Sequence, residues 1–189
     1  DTAIQLMQAE RGFLILVQGD QLEFRVARNI ASDSIKSPEF KISNKVIRTV
    51  VKTGSPILTS NAQQDLKEMK SIAALELRSL LCVPLRGRDK RQVLGTLYLD
   101  SQARDSSFDN AGKDLLMAFS DQAAIAIENA RLARAEKQRE AMLSELRVAA
   151  RIQLALLPRE DPQVEGMQIS GHMKTAHEVG GDYFDYIWG

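Results

Sequence analysis

The chain has 189 residues, 44% of them hydrophobic, so it can bury one complete domain and an appendage rather than two full domains. Its 25 basic and 25 acidic residues cancel, and no apolar run reaches the roughly 20 residues of a membrane span, so we expect neither nucleic-acid nor membrane binding. The single cysteine, Cys82, excludes an internal disulfide framework and predicts a reducing, cytoplasmic location.

The first predicted element after a short helical pattern is a β-hairpin. Residues 13–17 form a continuous apolar run typical of a central strand, and Gly19 and Asp20 form a turn. In the second strand, apolar residues alternate with polar ones and are expected to bury one face together: Leu22, Phe24 and Val26.

A short amphipathic helix follows the hairpin. Ser43 is a predicted N-cap, and Gly54 marks the C-terminal end. Between them lies an apolar stripe formed by Val46, Ile47, Val50 and Val51. Residues 56–59 are expected to be extended.

Two further strands are predicted around a charged turn. Residues 80–85 and 93–100 are apolar runs, and residues 86–91 between them are polar and charged. Pro84 lacks an N–H donor, which places it at an edge or an irregularity of the sheet. Strands, a helical middle and more strands predict an α+β domain with an antiparallel sheet.

The longest predicted element is a helix over residues 113–157, which contain neither Gly nor Pro. Residues 107–109 offer a cap before it. At 1.5 Å per residue it would span on the order of 65 Å, more than a globular domain needs to pack one helix. Its first part is expected to dock on the sheet through Leu116, Phe119, Ala123, Ala126, Ile127 and Ala130.

The same helix carries an imperfect heptad seam, which predicts a parallel homodimeric coiled coil. Its apolar members are Ile125, Leu132, Leu143, Leu146, Ala150 and Leu157, and its polar members are Asn129, Glu136 and Arg139. The charged stretch 134–140 leaves a solvated single helix or a hinge as alternatives. If the helices pair, they act either as a switch with two packings or as a rigid spacer.

Five segments in order resemble a GAF domain over about residues 1–132. They are residues 10–13 (Glu-Arg-Gly-Phe), 77–85 (Leu-Arg-Ser-Leu-Leu-Cys-Val-Pro-Leu), 95–100 (Gly-Thr-Leu-Tyr-Leu-Asp), 107–108 (Ser-Phe) and 122–130 (Gln-Ala-Ala-Ile-Ala-Ile-Glu-Asn-Ala). The resemblance implies a six-stranded or similar antiparallel sheet flanked by helices, an incomplete first helix, and a small-molecule pocket whose ligand is unknown. The polar residue set of cyclic-nucleotide GAF domains is not found.

Cys82 and the two histidines have no clear functional pattern. A cysteine in a GAF domain could anchor a bilin or ligate a metal, but Cys82 lies in an apolar strand, where a thiol packs as a small hydrophobe. His172 and His177 are far from it in sequence and form no Cys/His metal spacing. We expect both histidines on the surface or in a strand.

The end of the chain resembles the start of a PPM-type metal-dependent serine/threonine phosphatase domain of the SpoIIE/RsbU branch. The resemblance covers roughly residues 148–189 and is carried by an Ile-Gln…Leu-Leu-Pro helix end at 152–158, a strand near 167–171 and Val-Gly-Gly-Asp-Tyr-Phe-Asp at 179–185. In such domains two Mg²⁺ or Mn²⁺ ions activate water for attack on a phosphoryl group.

The resemblance implies roles for individual residues of this motif. Asp182 is the expected metal ligand, and the backbone carbonyl of Tyr183 is a second expected ligand. Gly180 and Gly181 support the site by letting the backbone turn beside the metals. Asp185 is expected to hydrogen-bond around the site or to be a solvated carboxylate.

These resemblances predict a sensor, a helix and an enzyme in that order. We expect a GAF body over residues 1–112, a linking helix over 113–157 and a truncated phosphatase start over 158–189. One carboxylate cannot hold two ions, so the 189-residue chain is expected to be inactive. A longer chain would dephosphorylate a phosphoserine or phosphothreonine protein, an anti-sigma-factor antagonist being the substrate that the resemblance suggests.

Two other functions fit parts of the sequence. Residues 180–184 partly match the Gly-Gly-Asp-Glu-Phe signature of diguanylate cyclases, but Tyr183 replaces the required acidic residue. Alternatively, the chain is a non-enzymatic dimeric ligand-sensing module with residues 158–189 as a tail. In that case Phe184, Ile187 and Trp188 would have no core to join.

Overall fold

The computed structural model describes residues 1–37, 42–89, 92–103 and 108–187, with the side chain of Lys70 left out. The chain forms two compact units, Asp1–Asn129 and Ala130–Gly189. The elements in order are α1 (Thr2–Met7), β1 (Arg11–Gln18), β2 (Gln21–Asn29), α2 (Asn44–Thr53), β3 (Ile57–Thr59), α3 (Ala62–Asp65), α4 (Lys70–Ala74), β4 (Ser79–Arg86), β5 (Val93–Ser101), α5 (Asn110–Leu156), β6 (Gln163–Val164) and β7 (Met167–Gln168).

The first unit is built on one antiparallel sheet, which confirms the predicted α+β class. Its strand order is β2-β1-β5-β4-β3. The described residues contribute five strands to this sheet, compared with the six or similar number that the family resemblance implies. Because β5 pairs with both β1 and β4, it lies at the centre of the sheet.

The predicted hairpin is present, but its second strand does not keep one face throughout. Gly19 and Asp20 form the turn, and Gly19 has a φ of 59°, which favours glycine. A register shift between Leu14 and Ile15 leaves one extra residue in β2. Since such a bulge reverses the alternation, Leu22, Phe24 and Ala27 pack on one core cluster, while Val26 lines the other side of the sheet.

The larger core cluster lies between the sheet and the segment containing α2 to α4. Val46, Ile47 and Val50 of α2 are fully buried there, as the apolar stripe predicted. The Gly54 N–H closes the helix on the Val50 carbonyl at 2.8 Å, with Gly54 in the left-handed region. Ser43 is the N-cap residue, but its side chain makes no capping hydrogen bond.

The opposite face of the sheet is covered by α1 and the first part of α5. Asp109 caps α5, since its carboxylate accepts the Gly112 N–H at 2.7 Å; Ser107 lies outside the described residues. The buried stripe is Leu116, Ser120 and Ala124, with Ala123 and Ile127 packed beside it. Ala126 and Ala130, which we expected in this interface, are exposed.

Pro84 lies at a local edge of β4, as predicted. It pairs with Thr96 of β5, but β3 has ended by this point, because β3 pairs only with residues 80–82. The Pro84 carbonyl accepts a hydrogen bond from the buried Ser120 hydroxyl at 2.6 Å. This bond ties α5 to the sheet at the position where β4 lacks a second strand partner.

The second unit contains the rest of α5 and the segment after it. The helix ends at Leu156, two residues before Pro158, because the residue before a proline disfavours the α conformation. A two-residue hairpin of β6 and β7 turns at Gly166, which has a φ of 75°. The expected strand at 167–171 is therefore limited to Met167–Gln168.

Candidate functional site

A buried ion pair joins β1 and β5 in the first unit. Arg11 and Asp100 are direct partners in the sheet, and the guanidinium binds both carboxylate oxygens, at 2.7 and 2.9 Å. The Asp100 side chain is fully buried, whereas Arg11 is 17% exposed. Burial raises the pKa of Asp100 to about 6, although its hydrogen bonds with Arg11 act to lower that pKa.

Ser43, Ser71 and Tyr98 form a hydrogen-bonded group on the α2 side of the sheet. Tyr98 accepts a hydrogen bond from the Ser43 N–H at 3.4 Å, and the Ser43 and Ser71 hydroxyls lie 2.7 Å apart. Burial raises the pKa of Tyr98 well above its usual value. Phe13 packs edge-on to the Tyr98 ring, with the ring centroids 5.7 Å apart. Ser43 thus links α2 to Ser71 and Tyr98 instead of capping its own helix.

Cys82 is a core residue of β4. It is fully buried in the larger core cluster, and burial strongly raises the pKa of its thiol. A protonated, inaccessible thiol suits neither covalent attachment nor metal ligation. The expectation that Cys82 packs as a small hydrophobe is confirmed.

A cavity of about 200 Å³ lies on the opposite face, between the sheet and the helices α1 and α5. Ile4, Leu97 and Leu116 contribute to its apolar wall, and Asp1 and Arg28 add charges 3.9 Å apart. Pockets for drug-sized ligands usually hold about 300–1,000 Å³. This cavity is therefore smaller than a typical cofactor site.

The turn between β4 and β5 is fastened to α5. The Arg88 N–H donates to the Glu128 carboxylate at 3.0 Å, and the Arg88 guanidinium donates to the Asn129 side chain. Lys90 and Arg91, which we placed in the same turn, lie outside the described residues. Asn129 was expected in the coiled-coil seam, but its amide is engaged with this turn.

The exposure of the seam residues differs between the earlier and later parts of α5. Every residue from Arg131 to Met142 is exposed, and Leu132 is 60% exposed. Beyond this stretch the half-buried helix positions recur at spacings of three and four: Leu143, Leu146, Ala150 and Gln153. Leu157, the last apolar seam residue, is also half-buried. The apolar seam residues that are classed as exposed, Ile125 and Leu132, therefore both lie in the earlier part of the seam.

Gln153 holds the Gly-Gly-Asp segment on the helix. Its Nε2 donates to the carbonyls of Gly180 at 2.7 Å and Asp182 at 3.1 Å, and its Oε1 accepts the Gly180 N–H at 2.9 Å. The Asp182 side chain is exposed, so only the backbone of this residue is tied down. Gln153 belongs to the Ile-Gln…Leu-Leu-Pro pattern, and nothing in that pattern predicts a role for its side chain.

Tyr183 and Asp185 interact with each other. The Tyr183 hydroxyl donates to the Asp185 carboxylate at 3.0 Å, which raises the pKa of Tyr183. Both side chains are exposed. Asp185 thus accepts hydrogen bonds within the segment next to Asp182, from the Tyr183 hydroxyl and the Tyr186 N–H.

The two motif glycines differ in their surroundings. A Cβ at Gly180 would lie 2.8 Å from Thr175 Cγ2 and 3.6 Å from Gln153 Nε2. A Cβ at Gly181 would meet no described atom within 4 Å. Neither glycine has a positive φ, so a left-handed turn does not explain their presence. Gly180 instead allows close packing against Thr175.

Asp161 joins two other parts of the second unit by hydrogen bonds. Its carboxylate accepts the Gly171 N–H at 3.2 Å and the Tyr186 hydroxyl at 2.9 Å, and the Gly171 bond contributes most to lowering its pKa. The rings of Phe184 and Tyr186 pack edge-on, 5.9 Å apart. Ile187 stays 92% exposed, and Trp188 lies outside the described residues.

The donor set around Asp182 fits one metal ligand but not a two-metal centre. Its carboxylate is the oxygen donor that Mg²⁺ and Mn²⁺ prefer. Within the part of the chain that the structure describes, no three His, Cys, Asp or Glu residues are grouped to hold a metal ion. His172 and His177 are both exposed.

The described residues also contain no helix that is long and apolar enough to cross a membrane.

Comparison with solved structures finds the same fold in other proteins. GAF3 of Slr1393 from Synechocystis sp. PCC6803, in its photoproduct state, has a TM-score of 0.57 at 14% identity, over 71% of this chain and 92% of that one. The GAF domain of Acinetobacter phosphoenolpyruvate-protein phosphotransferase gives 0.52 at 17% identity, over 69% and 78%. GAF-B of DevS from Mycobacterium smegmatis gives 0.51 at 18% identity, over 71% and 91%.

The family assignment comes from the sequence profile of the GAF domain, which matches residues 1–129. These residues are the first compact unit, with its five-stranded sheet and the docked part of α5. The match ends where α5 leaves the first unit, close to residue 132, where the resemblance was expected to end. The chain therefore belongs to the GAF domain family, whose members are sensor domains of signalling proteins.

Proposed function

We propose that this chain is the sensor and dimerisation region of a bacterial signalling phosphatase. The phosphatase domain would begin within residues 158–189 and continue in a longer chain. With two Mg²⁺ or Mn²⁺ ions bound, that domain would hydrolyse phosphoserine or phosphothreonine on a regulatory protein, with an anti-sigma-factor antagonist as the suggested substrate. Asp182 and the Tyr183 carbonyl would be metal ligands.

One observation carries this proposal. The last helix of a GAF domain continues unbroken to Leu156, and its end is hydrogen-bonded to the segment that contains Asp182. The helix that begins in the GAF domain thus carries, near its end, the side chain that holds the segment containing Asp182.

The first test is the substitution Asp182→Ala in the longer chain. Losing a carboxylate ligand is expected to lower metal-dependent hydrolysis of a phosphoserine protein by about 100-fold or more. Removing the metal with a chelator is expected to have the same effect. The measurement is release of inorganic phosphate at saturating manganese.

The matched control is Glu178→Gln, which removes an exposed acid from the same segment and is expected to leave the rate unchanged. Full activity of Asp182→Ala would contradict the assigned ligand role. If the longer chain hydrolyses no phosphoprotein at all, the non-enzymatic ligand-sensing module is the better description. The described residues hold no group of three His, Cys, Asp or Glu that could bind a metal ion, and this observation favours the second candidate.

The proposed homodimer forms through the exposed part of the α5 seam. Leu132 is 60% exposed on this chain, and burying it against a second copy would remove apolar surface from water. Leu132→Asp is expected to weaken dimerisation at least about ten-fold, since it places charge in an apolar seam. Analytical ultracentrifugation of the 189-residue chain measures the dissociation constant.

Val148→Asp provides the control for this experiment. Val148 is also an exposed apolar residue of α5, but it lies off the heptad seam. It is expected to leave the dissociation constant within about two-fold. Equal effects of the two substitutions would contradict pairing through the seam.

A further inference from the structure

We infer that Gln153 is a positioning residue that sets the backbone of the Asp182 loop from the last turn of α5. This inference rests on the proposed function, because its purpose is to hold Asp182 where a metal ligand is needed. Gln153 itself would not touch the metal ions or the phosphoprotein.

The geometry of the contact supports this role. A primary amide offers two N–H donors and one carbonyl acceptor. Gln153 uses both sides of its amide on Gly180, with bonds of 2.7 and 2.9 Å, and its third bond, of 3.1 Å, reaches the Asp182 carbonyl. The amide thus pairs with Gly180 as a strand residue would pair with its neighbour.

Gln153 is also the residue of α5 through which the helix is hydrogen-bonded to the Asp182 loop, among the described residues. In the described part of the chain, every hydrogen bond between α5 and residues 158–187 has Gln153 as its donor or its acceptor. The residue opposite it is Gly180, where an added Cβ would crowd Thr175. The Asp182 carboxylate remains exposed, so the loop is fixed by its backbone while the metal-binding oxygens stay available.

The position of Gln153 on α5 also indicates how its contact with residues 180–182 could be broken. It lies on the helix face that includes the half-buried Leu146 and Ala150, which are members of the predicted seam. A second copy of α5 packed on this part of the face would compete with residues 180–182. Movement of the helix would therefore reach Asp182 through one side chain.

The substitution Gln153→Met tests the inference, because methionine keeps the length and helix propensity but has no amide. In the 189-residue chain without metal, hydrogen exchange of the Gly180 amide is expected to become about 3- to 10-fold faster, as for the loss of an ordinary hydrogen bond. Gln138→Met, at an exposed position of the same helix, is the matched control and is expected to change nothing.

In the longer chain, Gln153→Met is expected to raise the manganese concentration for half-maximal hydrolysis about ten-fold and to leave the KM for the phosphoprotein unchanged. Unchanged Gly180 exchange would overturn the inference, as would faster exchange with an unchanged manganese requirement. If wild-type longer chain shows no metal-dependent hydrolysis, the proposed function fails. The metal role of Gln153 then fails with it, even where the exchange result shows the contact.

Discussion

Gly95→Ala is expected to destabilise the sensor domain by several kcal/mol, about the size of the whole stability of a domain of this length. Gly95 is buried in β5, between β1 and β4. A Cβ there would press into the Ile15 carbonyl oxygen and lie 2.9 Å from Leu16 Cα. These are backbone atoms of the neighbouring strand, so no rotamer change relieves the overlap and the central strands must separate.

Chemical denaturation of the 189-residue chain, followed by circular dichroism, measures this effect. Gly19→Ala is the matched control from the β1–β2 turn, where a Cβ meets no described atom within 4 Å. Its φ of 59° costs an alanine only about 1–2 kcal/mol. A Gly95→Ala protein as stable as Gly19→Ala would show that the central strands are packed less closely than described.

The second large effect is expected from Arg11→Met, which leaves the Asp100 carboxylate buried without its partner. Breaking a buried ion pair from one side typically costs about 3–5 kcal/mol. Arg11 is partly exposed, so we expect about 3 kcal/mol at pH 7. The measurement is the free energy of unfolding in urea.

This loss is expected to depend on pH because Asp100 titrates in the folded state. Its folded pKa of about 6 lies above the usual value of 3.8. Protonation of Asp100 therefore stabilises the folded state; this contribution is fully present below about pH 4 and is lost as the pH rises through 6. Below pH 4 Arg11 faces a neutral acid, and its removal costs little. The difference between wild type and Arg11→Met should therefore grow from pH 4 to pH 7.

An exposed ion pair serves as the control. Arg25 lies 3.0 Å from Glu23, and both side chains are substantially exposed. Arg25→Met is expected to change the stability by less than about 1 kcal/mol, with no comparable pH dependence. A loss from Arg11→Met that stays constant between pH 4 and pH 7 would contradict a raised Asp100 pKa.

The sensor domain shows where sequence patterns predict a sheet well and where they fail. Strands β1, β4 and β5 were predicted because short apolar runs bounded by turn residues are typical of buried strands. The prediction that Val26 shares a face with Leu22 and Phe24 was wrong. One bulged residue in β2 reverses the alternation of side chains for the residues on one side of it. No residue type in β2 predicts that bulge.

The long helix shows a similar division. Its existence follows from 45 residues without Gly or Pro between Gly112 and Pro158, and in the structure the helix runs from Asn110 to Leu156. Which face docks was predicted only in part, since Leu116 is buried but Ala126 and Ala130 are exposed. Small residues such as alanine fit both a close interface and a solvated surface, so their periodicity does not separate the two.

The motif at 179–185 predicts Asp182 as the metal ligand, but its residues do not indicate which side chain holds the Asp182 backbone. The ligand roles of Asp182 and the Tyr183 carbonyl were expected from the family resemblance, and a carboxylate is a donor that hard divalent ions prefer. The hydrogen bonds from Gln153 join residues 27 and 29 positions apart. Such contacts depend on where the chain returns to the helix.

The amino-acid sequence by itself determined the α+β class, the GAF resemblance, the long helix and the buried role of Cys82, because each depends on local pattern or composition. The tertiary structure alone decided the bulge that turns Val26 away, the use of Ser43 as a partner of Ser71 and Tyr98, the pairing of Arg11 with Asp100 and the hold of Gln153 on Gly180. These features arise between residues distant in sequence, and their energies depend on burial and distance that no local pattern records.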